Sequence, residues 1–251
     1  MKGFSSLFYK EVLRFWKVGF QTLLSPLLST LLYLLIFSHA LGSHVQALPG
    51  VPYISFLIPG LAMMALLQNA FANSSSSLIQ SKITGNIIFL LLSPVSYPEI
   101  FFAYVLASTV RGILVGIGIF AVTHWAIRVP LEYPLWALVF GILGSFILGA
   151  TGIIAGIWAE KFDQLASFQN FIILPLTFLS GVFYSIRSLP PFWQQVSHLN
   201  PFFYLIDGFR YGFFGASDAP PYFSLLVVSI CFAAVSLFTL GLLKSGYKLR
   251  N

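Results

Sequence analysis

Histidine, cysteine and carboxylate side chains perform most acid–base, nucleophilic and metal chemistry, and their spacing in this chain supports none of the three. The four histidines are His39, His44, His124 and His198, with no i, i+4 pair, no HExxH spacing and no carboxylate near enough in sequence to complete a metal site. Cys231 is the single cysteine and lies in an apolar run, which excludes an intramolecular disulfide. We therefore predict no metal, no cofactor and no catalytic residue.

ATP hydrolysis has its own motif, G-x-x-x-x-G-K-[ST], in which backbone N–H groups surround the nucleotide phosphates. The pair Lys244-Ser245 follows Leu243 instead of a glycine, so the backbone loop for phosphates is absent from the sequence. We expect that this chain does not itself hydrolyse ATP.

A few charged residues lie within apolar stretches and need either a partner or access to water. Glu11 falls inside an apolar helical stripe, where it either faces another helix, pairs with Arg14 at i+3, or extends to the surface. Asp207 and Arg210 are spaced at i and i+3 and can pair in the same way. Arg111 either extends to the cytoplasmic boundary or is a buried functional residue.

The segments that must position these residues are strongly apolar. Of 251 residues, 58% are hydrophobic and 8% are charged, whereas a soluble domain is typically about 25% charged. The 64 residues between Lys17 and Lys82 include no charged side chain, and the runs Leu23 to Phe37 and Leu135 to Ile154 are apolar on every face. Such runs favour helices over the alternating strands of a membrane β-barrel. We predict an all-α integral membrane protein and exclude a soluble domain.

Charge-free runs and helix breakers predict six membrane-spanning helices. Their approximate bounds are Phe20–Leu41, Tyr53–Ser75, Ile100–Ile127, Leu135–Trp158, Ala166–Tyr184 and Tyr222–Leu243. Six spans put both termini on one side, and we expect that side to be the cytoplasm because nine of twelve lysines and arginines near span ends then lie inside. The nine are Lys2, Lys10, Arg14, Lys17, Lys82, Lys161, Lys244, Lys248 and Arg250, against Arg128, Arg187 and Arg210 outside.

Three segments outside these spans also have distinctive patterns. Residues 1–19 form an amphipathic helix, with its apolar side chains on one face, and this pattern is typical of a helix lying in the membrane interface. Residues 82–98 are apolar but too short to cross a bilayer, so we expect one face to pack on the bundle and another to meet a partner. Residues 185–219 hold four charges among many aromatic side chains, which favours two short helices dipping into the outer leaflet. An intramembrane turn at 82–98 and an ordinary interfacial aromatic belt at 185–219 are the alternatives.

Several short motifs resemble the permease subunits of ABC-2 type exporters, and specifically the YadH-like group related to nodulation-factor and drug exporters. The motifs are Lys10-Glu11, Gln21-Thr22-Leu23, Ile58-Pro59-Gly60-Leu61, Asn69-Ala70, Ser93-Pro94-Val95, the run from Pro175 to Ser185, Leu189-Pro190-Pro191-Phe192-Trp193, Leu199-Asn200-Pro201 and Gly208-Phe209-Arg210-Tyr211-Gly212. The resemblance covers essentially the whole chain, so residues 1–251 are expected to form a single transmembrane domain.

The resemblance implies roles for the three segments. Residues 1–19 become an elbow helix with Glu11 and Arg14 as its site residues, 82–98 a cytoplasmic coupling segment, and 185–219 a pair of outer re-entrant helices. The residues expected to contact the ATPase are Gly85, Asn86, Ile87, Ile88, Phe89, Leu90 and Leu91. Related sequences usually have acidic residues where this chain has Ile88 and Phe89. No residue is assigned to the substrate path.

The resemblance also implies partners and a location. The chain is expected to be the permease of an exporter in the bacterial inner membrane, surrounded by membrane lipid, with two copies of a separate ABC ATPase and a second permease copy as a homodimer. The basic residues lie at the ends of apolar runs, so no nucleic acid partner is expected. Two alternatives remain: a lipid-modifying membrane enzyme that uses His124, Glu132 or His198, and a secondary transporter, which usually needs intramembrane carboxylates.

Overall fold

This protein consists of a bundle of long apolar helices packed side by side, with short helices at the two ends of the bundle. The computed structural model describes residues 2–41, 48 and 50–249. His44 and Arg250, which entered the metal and topology arguments above, lie outside the described residues, as does the side chain of Lys2.

The described residues form helices and connecting turns, with one isolated β-bridge between Leu48 and Val51. The α-helices are α1 (Lys2–Trp16), α2 (Gly19–Leu41), α3 (Tyr53–Ile83), α4 (Ile87–Leu92), α5 (Tyr97–Ala126), α6 (Pro134–Trp158), α7 (Phe162–Phe168), α8 (Leu174–Phe178), α9 (Pro191–His198), α10 (Pro201–Phe214) and α11 (Pro221–Ser245). A π-helical turn at Gln169–Ile173 joins α7 to α8, and a 3₁₀ turn at Ile186–Ser188 precedes α9.

Five helices in the described residues are long and apolar enough to cross a membrane. They are Gly19–Ala40, Tyr53–Ile83, Tyr97–Ala126, Pro134–Trp158 and Pro221–Ser245. These five correspond to five of the six predicted spans and confirm the all-helical membrane class. α3 is longer than predicted and continues past Ser75 to Ile83.

The fifth predicted span, Ala166–Tyr184, has different bounds and an interrupted helix. Its helical residues run from Phe162 to Phe178 through α7, the π-turn and α8, and it is not among the five long helices. Pro175 explains the interruption, because proline lacks an N–H donor and its ring displaces the carbonyl group four residues earlier. A chain reversal follows α8, where Gly181 adopts a φ of +76° that other residues rarely adopt.

α3 is the central helix, and α5 and α6 pack closely against it. A Cβ atom at Gly152 would lie 2.5 Å from the carbonyl oxygen of Phe71, and one at Gly112 would lie 3.0 Å from that of Leu66. Glycine at these positions therefore lets α5 and α6 approach the α3 backbone.

Polar contacts group the helix termini into two ends. At one end, Lys82 Nζ donates to the carbonyl oxygen of Ile157 at 2.8 Å, and Lys248 Nζ lies 3.1 Å from Glu160 Oε1. We call this the basic end; it is formed by α1, α4 and the C-termini of α3, α6 and α11. We call the opposite end, with residues 179–220 and the start of α3, the aromatic end; there the Tyr53 hydroxyl donates to the carbonyl oxygen of Phe183 at 2.8 Å.

Candidate functional site

The short helix α4 lies at the basic end, between the two long helices α3 and α5. Gly85 reverses the chain after α3 with a φ of +74°. Ile87 then packs into the core, whereas Ile88 is 57% exposed and Phe89 is 74% exposed. Leu92 extends the same apolar surface. α4 thus has one face on the bundle and one apolar face pointing away from it.

The connection from α4 to α5 ends at a defined helix cap. The Ser96 backbone N–H donates to Glu99 Oε2 at 2.9 Å, and the Ser96 hydroxyl donates to the same oxygen at 2.8 Å. Pro98 lies in the first turn of α5, where its missing N–H costs no hydrogen bond. Both ends of residues 82–98 are thus anchored to the long helices α3 and α5.

α1 is attached to α3 through a buried carboxylate. Glu11 is fully buried and its Oε1 accepts a hydrogen bond from the Ser77 hydroxyl at 2.9 Å. Lys10 Nζ lies 3.2 Å from Glu11 Oε1, and Arg14 Nε lies 3.4 Å from Glu11 Oε2. The interpretation in which Glu11 faces another helix and pairs with Arg14 is therefore confirmed, and a surface position for Glu11 is wrong.

A groove with a volume of about 1080 Å³ opens between α1, α4 and the adjoining ends of α3 and α5. We call it the coupling groove. Its lining includes Lys10, Arg14, Gln80, Asn86, Phe89, Leu90 and Glu99. Of the predicted contact residues, Asn86, Phe89 and Leu90 line this groove, Gly85 forms the turn, Ile87 is in the core, and Ile88 and Leu91 are exposed. The structure thus brings Arg14 of the predicted elbow residues together with Asn86, Phe89 and Leu90 at one groove, whereas Glu11 is buried and does not line it.

A second cavity, which sequence reasoning missed, lies within the bundle. It has a volume of about 490 Å³ between α2, α3, α5 and the π-turn, and we call it the polar cavity. Arg111 points into it and donates from Nη2 to Asn69 Oδ1 at 3.2 Å. Gln21, Ser25 and Ser29 recur every four residues along α2, and this polar stripe in an apolar helix is a signal that could have located the cavity.

At the aromatic end, Asp207 and Arg210 do not form the expected ion pair. Asp207 accepts the backbone N–H groups of Asp218 at 2.8 Å and Ala219 at 3.0 Å. Arg210 instead donates from Nη2 to the Gly181 carbonyl oxygen at 2.8 Å and stacks 3.8 Å above the Phe56 ring. Burial raises the pKa of Asp207 to about 6, against the opposing effects of the two N–H donors and of Arg210. Both side chains thus fix the loops around α10.

The candidate acid–base residues are not assembled into one site. The His124 ring lies 5.2 Å from the Phe120 ring, and the His198 ring lies 5.2 Å from the Phe203 ring. Among the described residues, no hydrogen bond or ion pair joins either histidine to Glu132, and no group of three His, Cys, Asp or Glu side chains is placed to hold a metal ion.

Comparisons with known proteins agree with this arrangement. The family described as ABC-2 type transporter matches residues 2–214. The inner membrane transport permease YadH of Escherichia coli K12 is 38% identical over 248 residues, which cover 98% of this chain and 96% of that protein. Nodulation protein J of Rhizobium meliloti is 25% identical over 202 residues, covering 80% of this chain and 77% of that protein. This chain therefore belongs to the ABC-2 type transporter family and is a transmembrane transport permease.

Proposed function

We propose that this permease is the membrane-spanning subunit of an exporter, forming the substrate path and being driven by a separate ABC ATPase present in two copies. The observation that supports this most directly is the exposed apolar face of α4 beside the coupling groove. Ile88, Phe89 and Leu92 are among its exposed side chains. The groove next to them is lined by charged and polar groups such as Lys10 and Gln80, which are suited to water and protein but not to lipid.

An ATPase docked on α4 would be mechanically connected to the bundle. α4 is separated from α3 by three residues and from α5 by four, and α3 is the central helix. Closure of two ATPase subunits around nucleotide would move the α4 segments. That motion would change the relative stability of inward-facing and outward-facing arrangements of the helices. Alternating access follows if these two arrangements expose the path to opposite sides.

A six-span topology with both termini in the cytoplasm is part of this proposal. It is supported by the ends of the helical stretch 162–178. Ala159, just before this stretch, contacts Lys82 at the basic end, whereas Phe183, just after it, contacts Tyr53 at the aromatic end. A rise of 1.5 Å per residue lets 17 residues cover about 25 Å, close to the roughly 30 Å of a bilayer core. The excess of basic residues at the basic end favours a cytoplasmic position for it.

A second permease copy is supported by the surface of α2. Gln21, Ser25 and Ser29 are exposed polar side chains on a helix whose neighbouring exposed side chains, such as Phe20, Leu24 and Leu28, are apolar. Polar groups facing hydrocarbon are unfavourable, and a second α2 across a shared path would shield them. We therefore propose a homodimer in the bacterial inner membrane, the location that the name of the Escherichia coli relative states for that protein.

The decisive experiment uses a charge placed on the α4 face. Phe89→Asp puts a carboxylate into an apolar contact, where an unpaired charge costs several kcal/mol. We expect the partner ABC ATPase to copurify with the parent chain but not with Phe89→Asp, and transport-linked ATP hydrolysis to fall with it. Phe192→Asp is the matched control, because Phe192 is 64% exposed at the aromatic end.

Retention of the ATPase and of coupled hydrolysis by Phe89→Asp would exclude α4 as the coupling helix. Transport by the purified permease without any nucleotide would instead favour the secondary transporter, and turnover of lipid would favour the enzyme. A phosphate-loop ATPase in the neighbouring reading frame supports the exporter.

A further inference from the structure

The polar cavity has an unusual charge balance for a site inside a helix bundle. Its polar lining consists of uncharged side chains and one arginine. These lining residues are Gln21, Thr22, Ser25, Ser29, Thr30, Tyr33, Gln68, Asn69, Arg111 and Gln169. The lining contains no carboxylate, so the charge of Arg111 is not neutralised by the residues that surround the cavity.

The contacts of Arg111 leave part of its guanidinium unsatisfied. Nη2 donates to Asn69 Oδ1 at 3.2 Å, but the buried Nε has no hydrogen-bond partner among the described residues. No carboxylate of the described residues lies within ion-pair distance of Arg111. The local field at Arg111 therefore favours an anion.

The position of Arg111 within a candidate membrane span makes this imbalance costly. Arg111 lies near the middle of α5 (Tyr97–Ala126), and its partner Asn69 lies one turn of α3 beyond Asn73, the partner of Arg14. A guanidinium within a membrane-spanning segment is unfavourable unless a partner or a polar cavity stabilises it, and such residues are generally functional. A planar guanidinium also matches the two oxygens of a carboxylate or phosphate group.

The remaining lining is suited to the apolar part of a ligand. Leu61, Met64 and Leu174 form the wall beside the polar groups. The cavity also borders α2, whose outer face exposes apolar side chains such as Leu28. A volume of about 490 Å³ lies within the usual range for small-molecule sites and accommodates a head group together with the first part of a chain.

From these observations we infer that the polar cavity binds the anionic group, a phosphate or a carboxylate, of a molecule that reaches it from the membrane or from the cytoplasm, with Arg111 as the counter-charge. The inference rests on the proposed function in one respect, since the bound molecule would be the transported substrate or a lipid that accompanies it. Gln68 strengthens the assignment, because its buried amide Nε2 has no hydrogen-bond partner among the described residues and can donate to the same anion.

The test is equilibrium binding of dodecyl phosphate to the purified full-length permease in dodecyl maltoside micelles, which contain no phosphate. We expect saturable binding to the parent chain. Arg111→Gln should weaken it by at least about tenfold, because a charge-assisted hydrogen bond is lost. Arg128→Gln removes an exposed arginine just after the same helix and should leave binding unchanged.

Asn69→Asp keeps the inference testable if Arg111→Gln fails to fold. Asn69 already accepts a hydrogen bond from Arg111, so aspartate there supplies an internal anion with nearly the same shape. Aspartate loses the hydrogen bond that Asn69 Nδ2 donates to the Ala65 carbonyl oxygen at 3.0 Å, but it gains an ion pair with Arg111. We expect these changes to offset each other, so that Asn69→Asp melts near the parent temperature and yet loses dodecyl phosphate binding by about tenfold or more. Binding as tight as that of the parent in both variants, or no saturable binding by the parent, would overturn the inference.

Competition distinguishes the source of the anion. Displacement of dodecyl phosphate by inorganic phosphate at similar concentration indicates a soluble anion, whereas displacement only by other alkyl phosphates indicates an amphipathic ligand; either supports an anion site at Arg111. Because these measurements are made without an ATPase, their failure leaves the exporter proposal intact. Failure of the Phe89→Asp copurification test likewise leaves the binding result intact.

Discussion

The Arg14 guanidinium donates a hydrogen bond of 3.0 Å to the side-chain oxygen of Asn73, linking α1 to α3. Asn73 is fully buried and its amide donates to the Ser108 hydroxyl of α5 at 3.3 Å. One turn earlier on α3, Asn69 accepts the hydrogen bond from Arg111. Arg14, Asn73 and Ser108 therefore form a short polar network beside the coupling groove, and the Asn69–Arg111 contact of the polar cavity lies one turn of α3 away from it.

The first prediction concerns the buried pair in this network. Arg14→Gln removes one partner of the fully buried Glu11, and losing one partner of a buried ion pair typically costs about 3–5 kcal/mol. Lys10 remains near Glu11, so we expect the low end of that range and a clear fall in melting temperature in detergent. Lys17→Gln, at an exposed lysine, should have little effect.

Combining Arg14→Gln with Glu11→Gln tests the coupling itself. Because the double variant removes the buried charge together with its partner, its loss of stability should be smaller than the sum of the two single losses. Strictly additive losses would mean that the two side chains do not interact.

The second prediction concerns the contact between α10 and α6. A Cβ atom at Gly212 would lie 2.7 Å from the backbone nitrogen of Ala137, which cannot move without shifting α6. We expect Gly212→Ala to lower the melting temperature, by an overpacking cost of about 1–3 kcal/mol. The same substitution at Gly241 meets no atom within 4 Å and should be tolerated. Equal stability of the two variants would contradict the described α10–α6 contact.

The third prediction concerns topology. A reporter enzyme that works only in the cytoplasm should be active when it is fused after Asn251, because we expect the basic end to face the cytoplasm.

Labelling tests the opposite end of the bundle. In a Cys231→Ala background, a cysteine at Ser217 should react with a membrane-impermeant maleimide added to intact spheroplasts. Reaction at Ser217 only after lysis, or a periplasmic reporter, would reverse the topology and remove α4 from the reach of an ATPase.

The fourth prediction concerns the second copy. A cysteine at Ser25 on the polar stripe of α2, in the Cys231→Ala background, should form disulfide-linked dimers in native membranes. A cysteine at Phe238, which is 59% exposed on the apolar face of α11, should not. Cross-linking at Phe238 but not at Ser25 would move the dimer contact to α11. A monomer that still transports would contradict the dimer altogether.

The sequence by itself determined the membrane class, the family resemblance and most of the long helices. The mean hydropathy of a segment depends only on its own residues and not on what the segment contacts. The bounds of α2, α6 and α11 therefore agree with the predicted spans to within two residues. Around α4, an apolar run too short to cross a bilayer predicted a separate segment at 82–98, and the structure has a short helix within it.

Only the tertiary structure decided which polar groups meet. When a helix is apolar on most faces, its sequence does not indicate which face packs against which neighbour. The contact between Arg111 and Asn69, which lie 42 residues apart, therefore could not be derived from either segment. The i, i+3 spacing of Asp207 and Arg210 allowed an ion pair, but closer backbone donors and acceptors bind both side chains instead. The polar cavity exists because α2 lies apart from α3 there, and that separation depends on the packing of several helices together.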